Sequence, residues 1–272
     1  MRLTKHHGLG NDFLVLLHDS PDGPLPVDGD AARALCARRT GIGADGLVVG
    51  TAWMGAPTAS GDGREADLAM VLWNADGSRA EMSGNGIRCL AQAVARDRGA
   101  TDLDLAILTD AGVRATQVRP GESPSSVVAC VDMGEARPGP AVPAEPTASS
   151  YGKATTVDLG NPHVVVLVDD PEAVDLEVEG AAIAEQVPGG ANVEFVAPTA
   201  VADQLAMTVW ERGAGITEAC GTGACAAAHA AHEWGLVGTE VVVSMPGGDA
   251  TVGVGPPLTL EGPATYVATV DV

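Results

Sequence analysis

The chain has 272 residues, a formal net charge of −21 and a pI near 4.4, with only two lysines, Lys5 and Lys153. Such an acidic surface repels nucleic acid and anionic membranes, which excludes both as partners. The N-terminus has no apolar signal core, no run reaches about eighteen apolar residues, and five scattered cysteines lack C-x-x-C spacing, so a cytoplasmic protein in a reducing compartment is expected.

Residues 2–17 read as a strand, a Gly-Leu-Gly-Asn-Asp turn and a second strand. Asp28 or Asp30 can cap a helix through Ala31–Arg39, with Gly41 ending it. Gly41-Ile-Gly43-Ala-Asp-Gly46 matches G-x-G-x-x-G only formally. A dinucleotide fold needs strand, glycines and helix in that order, whereas here a helix precedes and the strand 47–49 follows, so a turn is predicted. Residues 51–64 form a Gly/Pro/Ser loop, and 67–73 a strand. An amphipathic helix follows Ser83, with Ile87, Leu90, Ala91 and Val94 on one face and Gly99 as its stop.

Residues 103–109 and 113–118 read as a hairpin. A proline-rich stretch from 119 to 150 surrounds one strand, 127–133, and 139–150 reads as a surface excursion. The second half gives strands at 155–159 and 164–168, a helix near 181–185, Gly-Gly-Ala-Asn-Val-Glu-Phe-Val and a strand at 208–210. A helix follows Cys220. Strands at 241–244, 251–254 and 258–260 come next, and 266–270 is expected to return to the first half.

The halves echo each other. Trp73 precedes Ser83 by ten positions and Trp210 precedes Cys220 by ten. Gly10-Asn11-Asp12-Phe13 is matched by Gly160-Asn161-Pro162-His163. The repeat period, roughly 140–150 residues, is too long for a solenoid and indicates two related domains. They are expected at 1–122, joined by 264–272 and carrying Ser83, and at 123–263, carrying Cys220.

Each half thus starts a helix with a small nucleophilic residue in a glycine-rich loop. A helix start offers unpaired N–H groups and partial positive charge, so it suits an anion. A thiol placed there is expected to ionise more easily. Asn11, Asn74, Asn161, Asn192, Glu211 and Arg212 lie in nearby Gly-rich turns, a set suited to a zwitterionic amino acid. His229-x-x-His232-Glu233 has neither H-E-x-x-H order nor an obvious third ligand, so no metal is expected.

The segments GLGNDF (8–13), RRTGIGADG (38–46), WNADGSRAEMSGNGIRC (73–89), GNPHVV (160–165), GANVEFV (190–196) and WERGAGITEACGTGAC (210–225) together resemble diaminopimelate epimerase. The resemblance implies an α/β (α+β) fold of two pseudo-symmetric domains, each a mostly antiparallel curled sheet around a central helix, with the active site in the interdomain cleft. It implies a cofactor-independent isomerase of lysine and peptidoglycan biosynthesis, interconverting LL- and meso-diaminopimelate by two-base proton transfer at the α-carbon. The partner is then a small amino acid, and a homodimer is the assembly allowed for. By the same resemblance Cys220 and the residue at Ser83 are catalytic. Gly84, Asn85, Gly221 and Thr222 hold the reacting carboxylate; Asn74, Asn192 and Arg212 the distal carboxylate; Asn161 and Glu211 the distal ammonium; Asn11 lines the site.

The chain departs from the family at Ser83, where relatives carry cysteine, and at Gly46, where many carry glutamine. A serine hydroxyl is a far weaker acid than a thiol. A helix end contributes at most about 2 kcal/mol, about 1.5 pKa units, which leaves the hydroxyl inert as a base at neutral pH without a helper such as His163. A racemase of another amino acid on the same fold, and a catalytically impaired binding relative, are the alternatives.

Overall fold

The computed structural model describes residues 1–18, 25–52, 65–143 and 151–272. The loop expected over 51–64 and the excursion expected over 139–150 therefore lie largely outside the described residues. Two units result: Met1–Asp132 with Gly262–Val272, and Met133–Glu261.

In the first unit the apolar runs pair as the alternation dictates. β1 (Arg2–Gly8) and β2 (Asn11–His18) form an antiparallel hairpin closed by Leu9-Gly10. Both turn residues have positive φ, 54° and 83°, the geometry whose twist suits a two-residue hairpin. Leu9 is strained there, because an L side chain disfavours that region. β3 (Gly46–Ala52) joins β2 in parallel, and β4 (Leu68–Asn74) pairs antiparallel with β3. β4 also meets β5 (Arg79–Ala80) antiparallel and β6 (Leu103–Thr109) in parallel. β7 (Gly112–Pro120) makes the expected hairpin with β6 and then pairs with β8 (Ser126–Gly134).

Two helices use the two sides of this sheet. α1 (Gly29–Cys36), capped by Asp28, joins a cluster of Leu3, Leu14, Leu47, Val49 and Trp73 through Ala32 and Cys36. α2 (Gly84–Asp97) packs on β1, β2, β3 and β7. It ends as predicted: Gly99 takes φ 63° and donates to the Arg96 carbonyl.

The second unit repeats the pairing scheme step by step. β10 (Lys153–Asp158) and β11 (Pro162–Leu167) are antiparallel, and β11 is parallel to β12 (Asn192–Pro198). β13 (Gln204–Glu211) is antiparallel to β12 and to β14 (Gly215–Ile216), and parallel to β15 (Glu240–Met245). β16 (Gly248–Gly253) closes a hairpin with β15. α3 (Ala181–Gln186) buries Ile183 and Ala184 against Val164, Val166, Val193 and Phe195. α4 (Gly221–Glu233) packs on β10–β13, β15 and β16. Its alanines from Ala224 to Ala231 are almost fully buried. A helix enclosed on every side needs small apolar residues with high helix propensity, and alanine supplies both.

Three expectations are corrected. The division falls between Asp132 and Met133, not after 122, because most of β8 pairs with β7. α1 stops at Cys36, short of Arg39, and Gly41 is not its cap. Ala37 is extended at ψ 117°, and Arg38 turns away to bind Asp12 and Asp45. The strands expected at 258–260 and 266–270 are one strand, β17 (Leu258–Asp271), whose start pairs with β16 and whose end pairs with β1. β9 (Arg137–Pro138) pairs with β10. Among the described residues no helix is long and apolar enough to cross a membrane.

Candidate active site

Both predicted helix tips form, and each is capped by the residue named from sequence. Ser83 is the N-cap of α2, with extended backbone and Oγ accepting the Gly86 N–H at 3.0 Å. Cys220 is the N-cap of α4, with Sγ accepting the Gly223 N–H at 3.4 Å. Glycine stands at the first and third positions of both helices. Ser83 is half-buried, whereas Cys220 is 4% exposed.

In the first unit Asn85 reaches across to the hairpin turn, its Nδ2 donating to Asn11 Oδ1 at 3.1 Å. Asn11 Nδ2 donates in turn to Asp45 Oδ2 at 2.9 Å. Arg38 joins Asp45 to Asp12 with bonds of 2.6 and 2.7 Å, and Lys5 adds a 2.7 Å ion pair with Asp12. The RRTGIGADG segment is therefore the brace for Asn11. Burial pushes the Asp12 carboxyl up, but the Arg38 and Lys5 bonds outweigh it and hold the group below its ordinary range. Asn74 ends β4 and bonds within its own turn, to Ser78 Oγ at 3.0 Å. Gly46 has no room for a side chain: a Cβ there would stand 2.7 Å from the Trp73 carbonyl oxygen.

In the second unit polar side chains gather behind Cys220. Thr222 Oγ1 lies 3.6 Å from Sγ, and Asn161 Nδ2 donates to Thr222 Oγ1 at 3.4 Å. Asn161 Oδ1 is 3.0 Å from His163 Nε2, and His163 Nδ1 is 2.7 Å from Glu194 Oε1. Glu211, at the end of β13, accepts a hydrogen bond from Thr217 and another from the Cys220 thiol. Asn192 Oδ1 accepts the Arg212 N–H at 2.8 Å, and the exposed Arg212 side chain packs beside Gly190.

The electrostatics reverse one expectation. The Cys220 thiol is pushed well above its ordinary value, first by burial and then by the charges of Glu211 and Glu194; the Thr222 and Gly223 bonds pull the other way and lose. Glu211 is also raised, chiefly by burial. The helix tip alone favours a thiolate, but here desolvation and two carboxylates dominate. Burial and the neighbouring carboxylates thus disfavour an added negative charge beside Cys220.

Of the site residues named from sequence, Ser83, Gly84, Asn85 and Asn11 come together in the first unit, and Cys220, Gly221, Thr222, Asn161 and Glu211 in the second; Asn74 bonds within its own turn and Asn192 holds the Arg212 backbone. Sequence reasoning missed Glu194, Asp45, Arg38 and Thr217 as parts of these clusters. Glu194 had a signal: it is the one charged residue in the apolar run of β12. No cluster of His, Cys, Asp or Glu suited to a metal occurs among the described residues.

Comparison with known proteins agrees with this architecture. The chain is 39% identical to a Zymomonas mobilis protein named diaminopimelate epimerase, covering 97% of this chain and 94% of that one. It is 38% identical to a protein of the same name from Desulfitobacterium hafniense, covering 98% and 96%. Among solved structures it superposes on a phenazine biosynthesis protein of the PhzF family from Bacillus anthracis with TM-score 0.70, at 16% identity, covering 100% and 98% of the two chains. A hydroxyproline epimerase from Agrobacterium vitis gives TM-score 0.68 at 17% identity, covering 99% and 91%. These distant likenesses carry the fold alone. The family model described as diaminopimelate epimerase matches residues 3–138 and 155–264; with the paired helix tips and the close relatives, this places the chain in the diaminopimelate epimerase family.

Proposed function

We propose that the protein is a cofactor-independent epimerase that interconverts LL- and meso-diaminopimelate, with one proton-transfer residue from each unit, Cys220 and Ser83. The observation that carries this reading is that both residues cap the equivalent helix of a repeated unit.

The chemistry asks for that arrangement. Removing a proton next to a carboxylate builds charge on that carboxylate, and backbone donors fixed in advance stabilise it most. The amides of Gly84, Asn85, Gly221 and Thr222 serve this role. Arg212 and Asn74 take the distal carboxylate, with Asn192 fixing the Arg212 backbone. Asn161 and Glu211 take the distal ammonium, and Glu211 is also hydrogen-bonded to the Cys220 thiol.

The two proton-transfer groups are unequal. For Cys220 to remove the α-proton, its own proton passes to Glu211, whose raised affinity suits it as acceptor. Ser83 then delivers its hydroxyl proton to the opposite face, leaving an alkoxide that must take up a proton from solvent. The reverse direction starts from that same alkoxide, which a helix tip alone stabilises too little in either direction. The enzyme is accordingly slow in both directions, and exchange of the α-hydrogen with solvent is faster from the isomer that presents it to Cys220. Incubation with each pure isomer, followed by chiral separation, tests this: slow conversion of either isomer towards the same equilibrium mixture supports it, and no conversion by folded protein removes it.

A further inference from the structure

Glu194 is fully buried, its Oε1 held by His163 and its Oε2 without a hydrogen-bond partner. A native carboxylate is not left half-satisfied without consequence, and such groups concentrate at functional sites. Its location is specific. A Cβ on Gly223 would stand 2.6 Å from Glu194 Oε1, so the carboxylate is lodged against the first turn of the helix that Cys220 caps.

The repeat shows that this pair is not a packing requirement of the fold. In the parallel pairing of β2 with β3, Phe13 is opposite Gly46; in that of β11 with β12, His163 is opposite Asn192. Two residues further along β3 and β12 stand Val48 and Glu194. The first unit fills the equivalent places with Phe13 and Val48, both buried. Only the thiol-bearing unit has His163 and Glu194 there.

We propose that Glu194 is a positioning residue for the Cys220 side of the site: through His163 it aims the Asn161 amide at Thr222 and Cys220, and its free oxygen sets a negative charge behind the helix tip. Its place in catalysis rests on the epimerase reading; its position against the first turn of α4 does not. Of the elements packed on α4, β13 carries Glu211 and β12 carries Glu194, whose charges both raise the thiol, and β11 brings His163 against Glu194. The first turn of α4 carries no acidic residue. Glu194 thus makes Cys220 hold its proton, opposing the thiolate that the helix tip favours.

The test is the pH dependence of Cys220 alkylation by iodoacetamide, read by mass spectrometry of its peptide without substrate. Glu194→Gln keeps the shape and removes the charge, and the profile is expected to move about one unit towards lower pH. Glu194→Asp, which keeps the charge, stays nearer the original profile. Gly223→Ala reads the contact from the helix side: its methyl displaces the carboxylate, and the profile again moves to lower pH. An unchanged profile in a folded Glu194→Gln protein, or in a folded Gly223→Ala protein should the first not fold, overturns the proposal. Failure to turn over diaminopimelate overturns the epimerase reading instead, and leaves the alkylation result standing.

Discussion

Replacing Ser83 by cysteine should turn a slow epimerase into a fast one. Ser83 already has the cap geometry of Cys220, with one backbone N–H at 3.0 Å against 3.4 Å for the sulfur. A thiol fits that longer contact, so stability should change by less than about 1 kcal/mol. The gain is chemical. A free thiol ionises at about 8.5, while a hydroxyl holds its proton far more tightly, as bulk water does. The helix tip lowers either by about 1.5 units at most. That brings a thiol close to neutrality and leaves a hydroxyl far away. Ser83 is also more exposed than Cys220, so a thiol there escapes much of the burial that raises Cys220. A well-matched acid–base group contributes about 10²–10⁴-fold, and Ser83→Cys should raise kcat in both directions by that order. Steady-state turnover of each isomer, with circular dichroism to confirm folding, measures it. A folded variant with the rate of the parent would show that position 83 does not face the reacting carbon.

Other consequences follow from single contacts. Asn192→Ala removes the acceptor that fixes the Arg212 backbone; KM for diaminopimelate should rise about tenfold with kcat little changed, since the lost contact is worth about 1.4 kcal/mol. Gly262→Ala puts a methyl 2.3 Å from Nη1 of the fully buried Arg88 and should cost about 1–3 kcal/mol in chemical denaturation. His6 is lowered from 6.5 to about 4, mainly by burial. The unfolded chain therefore binds the extra proton first, and stability is lost as pH falls from about 6.5 through 4, by up to about 3 kcal/mol. His6→Gln should remove that part of the pH slope in denaturation curves between pH 7 and 4.

The sequence announced the helix tips because the physics of a cap is local: Ser-Gly-Asn-Gly and Cys-Gly-Thr-Gly carry their own signal, and their equal spacing from Trp73 and Trp210 revealed the repeat. The strands were legible for the same reason, each being a short apolar run between glycines. What stayed hidden depends on residues brought together across strands. The Glu194–His163 pair joins two strands far apart in sequence, and the direction of the Cys220 shift depends on carboxylates from β12 and β13. The end of α1 was misplaced because a tertiary contact, Arg38 with Asp12 and Asp45, overrides the glycine signal at Gly41. The unit boundary was misplaced because proline content marks a loop, whereas β8 carries the chain onward as paired strand.

The epimerase reading requires Cys220 to move the hydrogen at the α-carbon of diaminopimelate. Proton NMR of LL- and meso-diaminopimelate in D₂O measures it directly, with the parent protein beside Cys220→Ser, which keeps an N-cap oxygen for Gly223 but has no thiol. The α-hydrogen signal of one isomer should disappear with the parent protein, at a rate at least about 10²-fold higher than with the variant. Equal exchange by both proteins, or none by the folded parent, would contradict the epimerase reading.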